Sequence, residues 1–207
     1  TIFAIMSELA QQYKAIDLSR GFPDFDVNPK LVNLYCKYLT QGYNQYAPVN
    51  GIISLREKIA EKTESSYGAK YNPETEITIT GGATEAIFAA ITTFIREGDE
   101  VLIFEPAYDL YTPAVKVNGG LPVYIEMTPP HYSFNWDQVQ KSISANTRMI
   151  IINSPHNPTG NILSAWYMER LKKLVNGTNI LILSDEVYEN ILFDGFEHES
   201  ILRYPEL

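Results

Sequence analysis

Several features that assign a protein to a class are missing or scarce in this sequence. Cys36 is the only cysteine among 207 residues, which excludes a disulfide framework and argues against a cysteine-based zinc site. No apolar run approaches the roughly 20 residues of a membrane span. Lys and Arg total 16 against 25 Asp and Glu, so nucleic acid and anionic membranes are poor candidate partners. No signal peptide is recognisable, and we expect a cytoplasmic protein without a metal site.

What is present is a pattern of short apolar segments that suits an α/β fold. Hydrophobic residues make up 45% of the chain, enough for a sizeable core. From residue 76 onward, continuous apolar strands alternate with helical segments, which predicts a mostly parallel sheet with helices on both faces. The predicted strands are 76–80, 101–104, 122–126, 149–152 and 179–183, and the helices among them are 83–95, 109–117, 136–143 and 164–175.

The first part of the chain has a different pattern. Residues 2–13 read as an amphipathic helix, and the Gly/Pro-rich segment 17–29 reads as a linker. Asn28 and Pro29 then predict the start of a helix to Thr40, and a further helix is expected over 52–66. We expect residues 1–27 to be an arm that belongs with a small domain, and residues 28–207 to be an incomplete large domain.

Ligands of parallel sheets bind beyond the carboxyl ends of the strands, so the residues after each strand are the candidates. After Thr80 comes GGATEA, in which Gly82, Ala83 and Thr84 open a helix. Glycines and free N–H groups at a helix start form an anion site. The third glycine of a dinucleotide fingerprint and the lysine of a P-loop are absent. A tight turn with Thr84 as a helix-start residue remains an alternative.

Two more strand ends carry candidate side chains. Tyr108 follows the second strand, where its ring can stack on a flat ligand or pack as a half-buried lid on the core. Asp185 follows the last strand, where an inward carboxylate would need a cationic partner, and Glu186 would then face another way. The alternative is that Ser184 or Asp185 caps a short turn.

The stretch NSPHNPTG, residues 153–160, follows the strand 149–152. Pro155 and Pro158 stiffen this loop, and one or both of their preceding peptide bonds are expected to be cis. Such rigidity suits a loop that aims one side chain, Asn157, at a ligand oxygen. His156 is a weaker candidate, because a lone loop histidine is more often exposed and idle. Together the four strand ends suit a flat heteroaromatic cofactor with a phosphate and a basic ring nitrogen.

At this point the sequence resembles the class I/II pyridoxal-phosphate aminotransferases of fold type I, most closely the branch acting on methionine, kynurenine and aromatic amino acids. The likeness covers essentially the whole chain. It rests on the ordered set LSRGFPDFD, YNQYAPVNGIISLREKIA, ITITGGATEAIFAAI, GDEVLIFEPAYDLYTPAV, NSPHNPTG and LSDEVYE. The resemblance implies transfer of an amino group from a hydrophobic or aromatic amino acid to a 2-oxo acid.

The cofactor implied by the resemblance is pyridoxal 5'-phosphate (PLP). A glycine-rich turn would hold its phosphate, an aromatic ring would stack on it, an amide and a phenol would bind its 3-oxygen, and a carboxylate would pair with its protonated nitrogen. The phosphate-binding residues would be Gly82, Ala83 and Thr84, and the stacking ring would be that of Tyr108. The 3-oxygen would be bound by Asn157 and Tyr188, and the ring nitrogen would pair with Asp185. Asp185 and Tyr188 are the expected catalytic residues.

The resemblance also implies roles for residues near the start of the chain. The backbone of Gly21 would lie beside the substrate carboxylate, Phe22 would line the side-chain pocket, and Asn157 would also contact the substrate. Tyr46 matches a tyrosine that crosses the interface of a homodimer to the partner's cofactor phosphate.

One departure from the family is large. The family forms its Schiff base through a lysine downstream of SDEVY, and its arginine for the substrate carboxylate lies further on. All ten lysines here precede Asp185. We therefore expect the sequence to be the N-terminal part of an enzyme about twice as long, in which the missing lysine follows.

Three other functions remain open from the sequence. C–S β-lyases share these cofactor contacts, and some transcription regulators carry an aminotransferase-like domain behind a DNA-binding head. No basic head precedes the first helix here, which argues against a regulator. A nucleotide-binding module that uses only the GGAT turn would leave Tyr108, Asn157 and Asp185 unexplained.

Overall fold

The computed structural model describes residues 2–21, 23 and 25–207. The chain divides into two compact units, Thr1–Ala47 and Pro48–Leu207. This division by packing falls twenty residues after the domain boundary expected between residues 27 and 28. The helix Pro29–Thr40 has no buried residue. The assignment of residues 1–27 to an arm and of 28–207 to a large domain stays a prediction.

The Thr1–Ala47 unit contains two helices, α1 (Ile2–Tyr13) and α2 (Pro29–Thr40), as predicted. The Asn28 side chain accepts a hydrogen bond from the Lys30 N–H at 2.9 Å, and Pro29 occupies the first turn, where its missing N–H costs nothing.

The Pro48–Leu207 unit is built on a four-stranded parallel sheet. Its strands are β1 (Glu100–Glu105), β2 (Leu121–Glu126), β3 (Thr147–Asn153) and β4 (Leu181–Asp185). Their order across the sheet is β2-β1-β3-β4, and every neighbouring pair is parallel. The register pairs Asn153 with Asp185, the last residues of β3 and β4.

Helices cover both faces of this sheet, which confirms the predicted fold class. Alternate strand residues enter two separate cores, with Leu102 and Ile150 in one and Ile103 and Ile151 in the other. The first core is closed by α6 (Trp136–Ser142) and α7 (Ala165–Val175), the second by α4 (Ala83–Phe94) and α5 (Tyr111–Val117).

Two further helices complete this unit. Helix α3 (Ile53–Tyr67) ends at Gly68, which adopts the left-handed conformation (φ 74°) common after a helix. A short 3₁₀ turn spans Ile201–Arg203 and was not predicted. In the described part of the chain, no helix is both long enough and apolar enough to cross a membrane.

One predicted strand is wrong. Residues 76–80 belong to none of the four strands, although the Ile79 N–H donates to the Asn50 carbonyl at 3.1 Å. A strand exists only through ladder pairing with a neighbour, and alternating Ile and Thr predict a tendency to pair but not the partner. Helix α5 also begins two residues later than predicted, at Tyr111.

Candidate active site

A cavity of about 250 Å³ lies in the Pro48–Leu207 unit beside the ends of β1, β3 and β4. It is lined by Ala83, Thr84, Ile87, Tyr108, Asn153, Asn157, Asp185, Val187 and Tyr188. Six of the predicted site residues therefore line one cavity: Ala83, Thr84, Tyr108, Asn157, Asp185 and Tyr188. Gly82 is the residue immediately before Ala83, at the start of α4.

The start of α4 lies at the wall of the cavity. Gly82 is its N-cap, with φ 114° and ψ 168°, a conformation almost restricted to glycine. Because Gly82 has no side chain, it cannot cap the N–H groups of the first turn. Ala83 and Thr84, which carry these groups, line the cavity. This end of the helix therefore combines partial positive charge with open donors, which suits an anion.

Asp185 is a buried carboxylate, and among the described residues no cation pairs with it. The residue is only 8% exposed. Oδ2 accepts a hydrogen bond from the Tyr111 hydroxyl at 2.7 Å, and Oδ1 accepts one from the Val187 N–H at 3.2 Å. Within the described residues, Asp185 forms no ion pair. The bond from Val187 also means that the turn-capping interpretation of Asp185 holds together with its place in the cavity.

Tyr111 remains a hydrogen-bond donor to Asp185 at all ordinary pH values. Burial, followed by the hydrogen bond to Asp185, raises the pKa of the Tyr111 phenol, so it keeps its proton. Its ring also meets that of Tyr108 edge to face, with centroids 5.7 Å apart. Tyr108 both packs on the second core and lines the cavity, so its two interpretations are compatible.

Glu186 faces away from the cavity, as expected if Asp185 points inward. Its Oε2 lies 2.7 Å from Nε2 of His198, and its Oε1 accepts hydrogen bonds from the Ser184 hydroxyl and the Ile201 N–H. Burial acts to raise the pKa of Glu186, but these hydrogen bonds outweigh it and lower the pKa below its usual value.

The loop after β3 contains two cis peptide bonds and a hydrogen bond back to the last residue of the strand. The peptide bonds before Pro155 and Pro158 are both cis, which confirms that expectation. The Asn157 N–H donates to Oδ1 of Asn153 at 2.7 Å. In the described chain the Asn157 side-chain amide has no hydrogen-bond partner, so it is available to a ligand in the cavity.

His156 is buried, and the expectation of an exposed histidine is wrong. It is 8% exposed, and Thr159 Oγ1 lies 2.9 Å from its Nδ1. Burial lowers the pKa of His156 to about 4, although the charge of Asp185 acts to raise it. The imidazole is therefore neutral near pH 7 and does not supply the positive charge that Asp185 lacks.

Comparison with known proteins identifies the family. The model of the family described as aminotransferase class I and II matches residues 13–206. The chain belongs to this family. The Escherichia coli methionine aminotransferase is 45% identical over 207 residues, which is 100% of this chain and 54% of that protein. The chain thus spans about half the length of the curated relatives it matches.

Solved structures of family members superpose closely on this chain. An Escherichia coli crystal structure that identified a methionine aminotransferase function matches with a TM-score of 0.95 and 45% identity, covering 100% of this chain and 55% of that one. The N-succinyldiaminopimelate aminotransferase structure from Mycobacterium tuberculosis matches with a TM-score of 0.91 and 40% identity, covering 96% and 52%.

Three cavity residues of this family member were not foreseen: Ile87, Asn153 and Val187. Ile87 shares a helix face with Ala83 and Thr84, so helical spacing would have indicated it. Asn153 is part of NSPHNPTG, but its contacts with Asn157 and Asp185 depend on the register of β3 and β4 and are not visible in the sequence. Val187 follows Asp185 by two residues, and nothing in the sequence singles it out.

Two of the remaining predicted site residues lie in the other unit. Gly21 and Tyr46 belong to Thr1–Ala47, and the side chain of Tyr46 is fully exposed. Phe22 lies outside the described residues. The roles of these three in binding substrate or cofactor stay predictions.

Proposed function

We propose that the full-length protein is a PLP-dependent aminotransferase that moves an amino group from a hydrophobic or aromatic amino acid, methionine-like or kynurenine-like, to a 2-oxo acid. The observation that carries this proposal is the buried carboxylate of Asp185. It stands in the wall of a cavity with two neutral donors and no described cation. A buried carboxylate in such a place favours a ligand that brings a positive charge.

The residues of the cavity fit PLP as a set. The first turn of α4, with Gly82, Ala83 and Thr84, would hold the phosphate by N–H groups and a hydroxyl. Tyr108 would stack on the pyridine ring. Asn157, whose side-chain amide is unused by the described protein, would donate to the 3-oxygen together with the Tyr188 phenol.

Asp185 would hold the ring nitrogen of PLP in its protonated form. An opposite charge at close range raises the pKa of such a nitrogen by about 1 to 3 units. Bound PLP supplies an electron sink for the carbanion formed when the substrate loses its α proton. Tyr111 would hold the Asp185 carboxylate in its orientation, because its hydroxyl donates to Oδ2.

The proposed substrates are a hydrophobic or aromatic amino acid as the donor and a 2-oxo acid as the acceptor. Similarity to the Escherichia coli methionine aminotransferase over the whole chain favours a hydrophobic amino donor. Gly21, Phe22 and Asn157 are the residues proposed to contact the substrate, and a 2-oxo acid is the proposed acceptor.

The proposed enzyme is a cytoplasmic homodimer. Tyr46, fully exposed in this chain, would reach the phosphate of the partner subunit's cofactor. Residues 1–27 would form an arm beside the small domain, and residues 28–207 most of the PLP-binding domain.

The experiment replaces Asp185 with Ala in the full-length protein. PLP should still bind, although less tightly, because the phosphate, stacking and 3-oxygen contacts remain. Keto-acid formation from methionine and from an aromatic donor should fall by several orders of magnitude, since each ~1.4 kcal/mol of lost transition-state stabilisation costs about tenfold.

Asp109→Ala is the matched control, because it removes an exposed carboxylate next to Tyr108 that does not line the cavity. It should leave turnover near that of the unmodified enzyme. Unchanged rates in Asp185→Ala would refute the role of Asp185. Release of ammonia and thiol from cystathionine by the unmodified enzyme, without amino transfer, would instead identify a C–S β-lyase.

A further inference from the structure

Asn153 stands between the two loops that carry Asn157 and Asp185. It is the last residue of β3 and pairs in register with Asp185, the last residue of β4. It is 5% exposed and lines the cavity. A buried amide at this point can bond to both loops at once.

Both ends of the Asn153 amide bond to the backbone of those loops. Oδ1 accepts from the Asn157 N–H at 2.7 Å. Nδ2 donates to the Asp185 carbonyl oxygen at 2.8 Å and to the Pro155 carbonyl oxygen at 3.3 Å. Because an amide nitrogen carries two hydrogen atoms, each carbonyl can receive one. The side chain therefore joins residues that are 28 positions apart in the sequence, Asn157 and Asp185, through a single planar group.

We propose that Asn153 is a positioning residue whose amide fixes the Asn157 donor relative to the Asp185 carboxylate, so that both contact the same cofactor ring. A flat ring can accept from an amide at one edge and pair with a carboxylate at another only if their separation is held constant. This inference rests on the proposed function, because it assigns the spacing a role in PLP binding.

A simpler role for Asn153 is a brace that stabilises the loop without affecting the cofactor. Ser154 provides the comparison. It is equally buried, and its hydroxyl accepts from the Leu163 N–H at 2.9 Å, so its side chain braces the same loop away from Asn157 and Asp185. A brace predicts equal consequences for Asn153 and Ser154 variants, whereas the positioning role does not.

The experiment uses the full-length protein with Asn153→Leu, Ser154→Ala, Asn157→Ala and the two double variants that contain Asn157→Ala. The measurements are the dissociation constant for PLP and the pH at which the absorbance of bound PLP changes. Asn153→Leu should weaken PLP binding about tenfold or more and shift this pH, and its effect should shrink when Asn157 is already Ala. Ser154→Ala should change neither quantity, in either background.

Asn153→Asp serves if the Leu variant does not fold. It keeps the size and the acceptor for Asn157 but turns an oxygen toward the Asp185 and Pro155 carbonyls, so it should also weaken PLP binding. Wild-type affinity and an unchanged pH of the absorbance change in both Asn153 variants would overturn the inference and leave the proposed function standing. An effect of Asn153→Leu that is undiminished beside Asn157→Ala would overturn it too.

If the unmodified full-length protein binds no PLP, the proposed function is wrong. The hydrogen bonds of the Asn153 amide are then tested separately by hydrogen exchange. The Asn157 N–H should then exchange about tenfold faster or more in Asn153→Leu than in Ser154→Ala, because only the first loses its acceptor. Equal exchange in these variants would overturn the inference.

Discussion

At the scale of single residues, the cavity region holds a buried carboxylate with no described cation beside it and a neighbouring histidine that is neutral near pH 7. Asp185 accepts hydrogen bonds from two neutral donors, the Tyr111 hydroxyl and the Val187 N–H. His156, on the adjoining loop, is buried and its pKa falls to about 4. The positive charge that complements Asp185 is thus left for a ligand to supply.

The low pKa of His156 predicts a loss of stability in mild acid. The free energy of unfolding should fall as pH drops from about 6.5 to about 4, because the unfolded chain binds a proton at His156 and the folded chain does not. His156 makes its full contribution to the free energy of unfolding above pH 6.5, and this contribution is about 3 kcal/mol at most. Urea unfolding of the cofactor-free full-length protein across this range measures it.

His156→Asn should flatten this part of the pH profile, since Asn offers an acceptor near the position of Nδ1 but does not titrate. His131→Asn is the control, because that histidine is exposed. An equal slope in the His156→Asn and unmodified proteins would show that another group is responsible. Glu186 and Glu189, whose pKa values are lowered from 4.5, act at the acid end of this window and below it, so the slope nearer pH 6 reports His156.

The residues that the sequence revealed are those that follow strands. Asn157 and Asp185 could be found because a parallel sheet collects its ligands at one edge. The contacts that hold them could not, because they depend on register. Tyr111 meets Asp185 from 74 positions away, and Asn153 meets it from 32. The burial of His156 was missed for the same reason, since loop composition does not reveal what packs over the loop.

At the scale of elements, helix α4 depends on the backbone of one residue. Gly82 has φ 114°, and a Cβ there would meet nothing within 4 Å, so any cost of a side chain comes from the backbone conformation alone. Gly81 is the neighbour whose φ is not positive, and a Cβ there would meet only the flexible carboxylate of Glu85.

Gly82→Ala should therefore lower the free energy of unfolding by about 1 to 3 kcal/mol, whereas Gly81→Ala should cost clearly less. If the first turn of α4 holds a phosphate, Gly82→Ala should also weaken PLP binding, because the N–H groups of Ala83 and Thr84 would move. Urea unfolding and PLP titration of the full-length variants test both parts. Equal losses for the two glycines would mean that the conformation of Gly82 is not required.

Element bounds were predictable where local chemistry fixes them. Asn28 with Pro29 and Gly68 mark helix ends through their own conformations, so α2 and the end of α3 lie within one residue of the prediction. The strand predicted over residues 76–80 was wrong because a strand requires a second segment to pair with, and a sequence pattern describes only one of the two segments.

At the scale of the whole molecule, the Thr1–Ala47 unit leaves many apolar side chains exposed. They include Leu31, Val32, Leu34, Tyr35, Tyr38, Leu39, Tyr43 and Tyr46. Exposed apolar side chains in such number are typical of a segment that another protein surface covers. The proposed homodimer predicts that Tyr46 serves the cofactor of the partner subunit and not its own.

Mixing two defective full-length variants tests this directly. Tyr46→Phe removes only the hydroxyl, and should weaken PLP binding in every site of its homodimer. Asp185→Ala should lower turnover by several orders of magnitude in every site of its own homodimer. If Tyr46 acts across the interface, a hybrid dimer contains one intact site, because the Tyr46→Phe subunit keeps its Asp185 and receives Tyr46 from its partner.

Random exchange of equal amounts should then restore about a quarter of the sites, measured as keto-acid formation at a PLP concentration that leaves the Tyr46→Phe homodimer mostly empty. If Tyr46 instead serves its own subunit, every site in the hybrid carries one of the two defects, and mixing restores nothing. Variants that also form dimers on their own, checked by light scattering, make the second outcome a refutation of the crossing and not a failure of assembly.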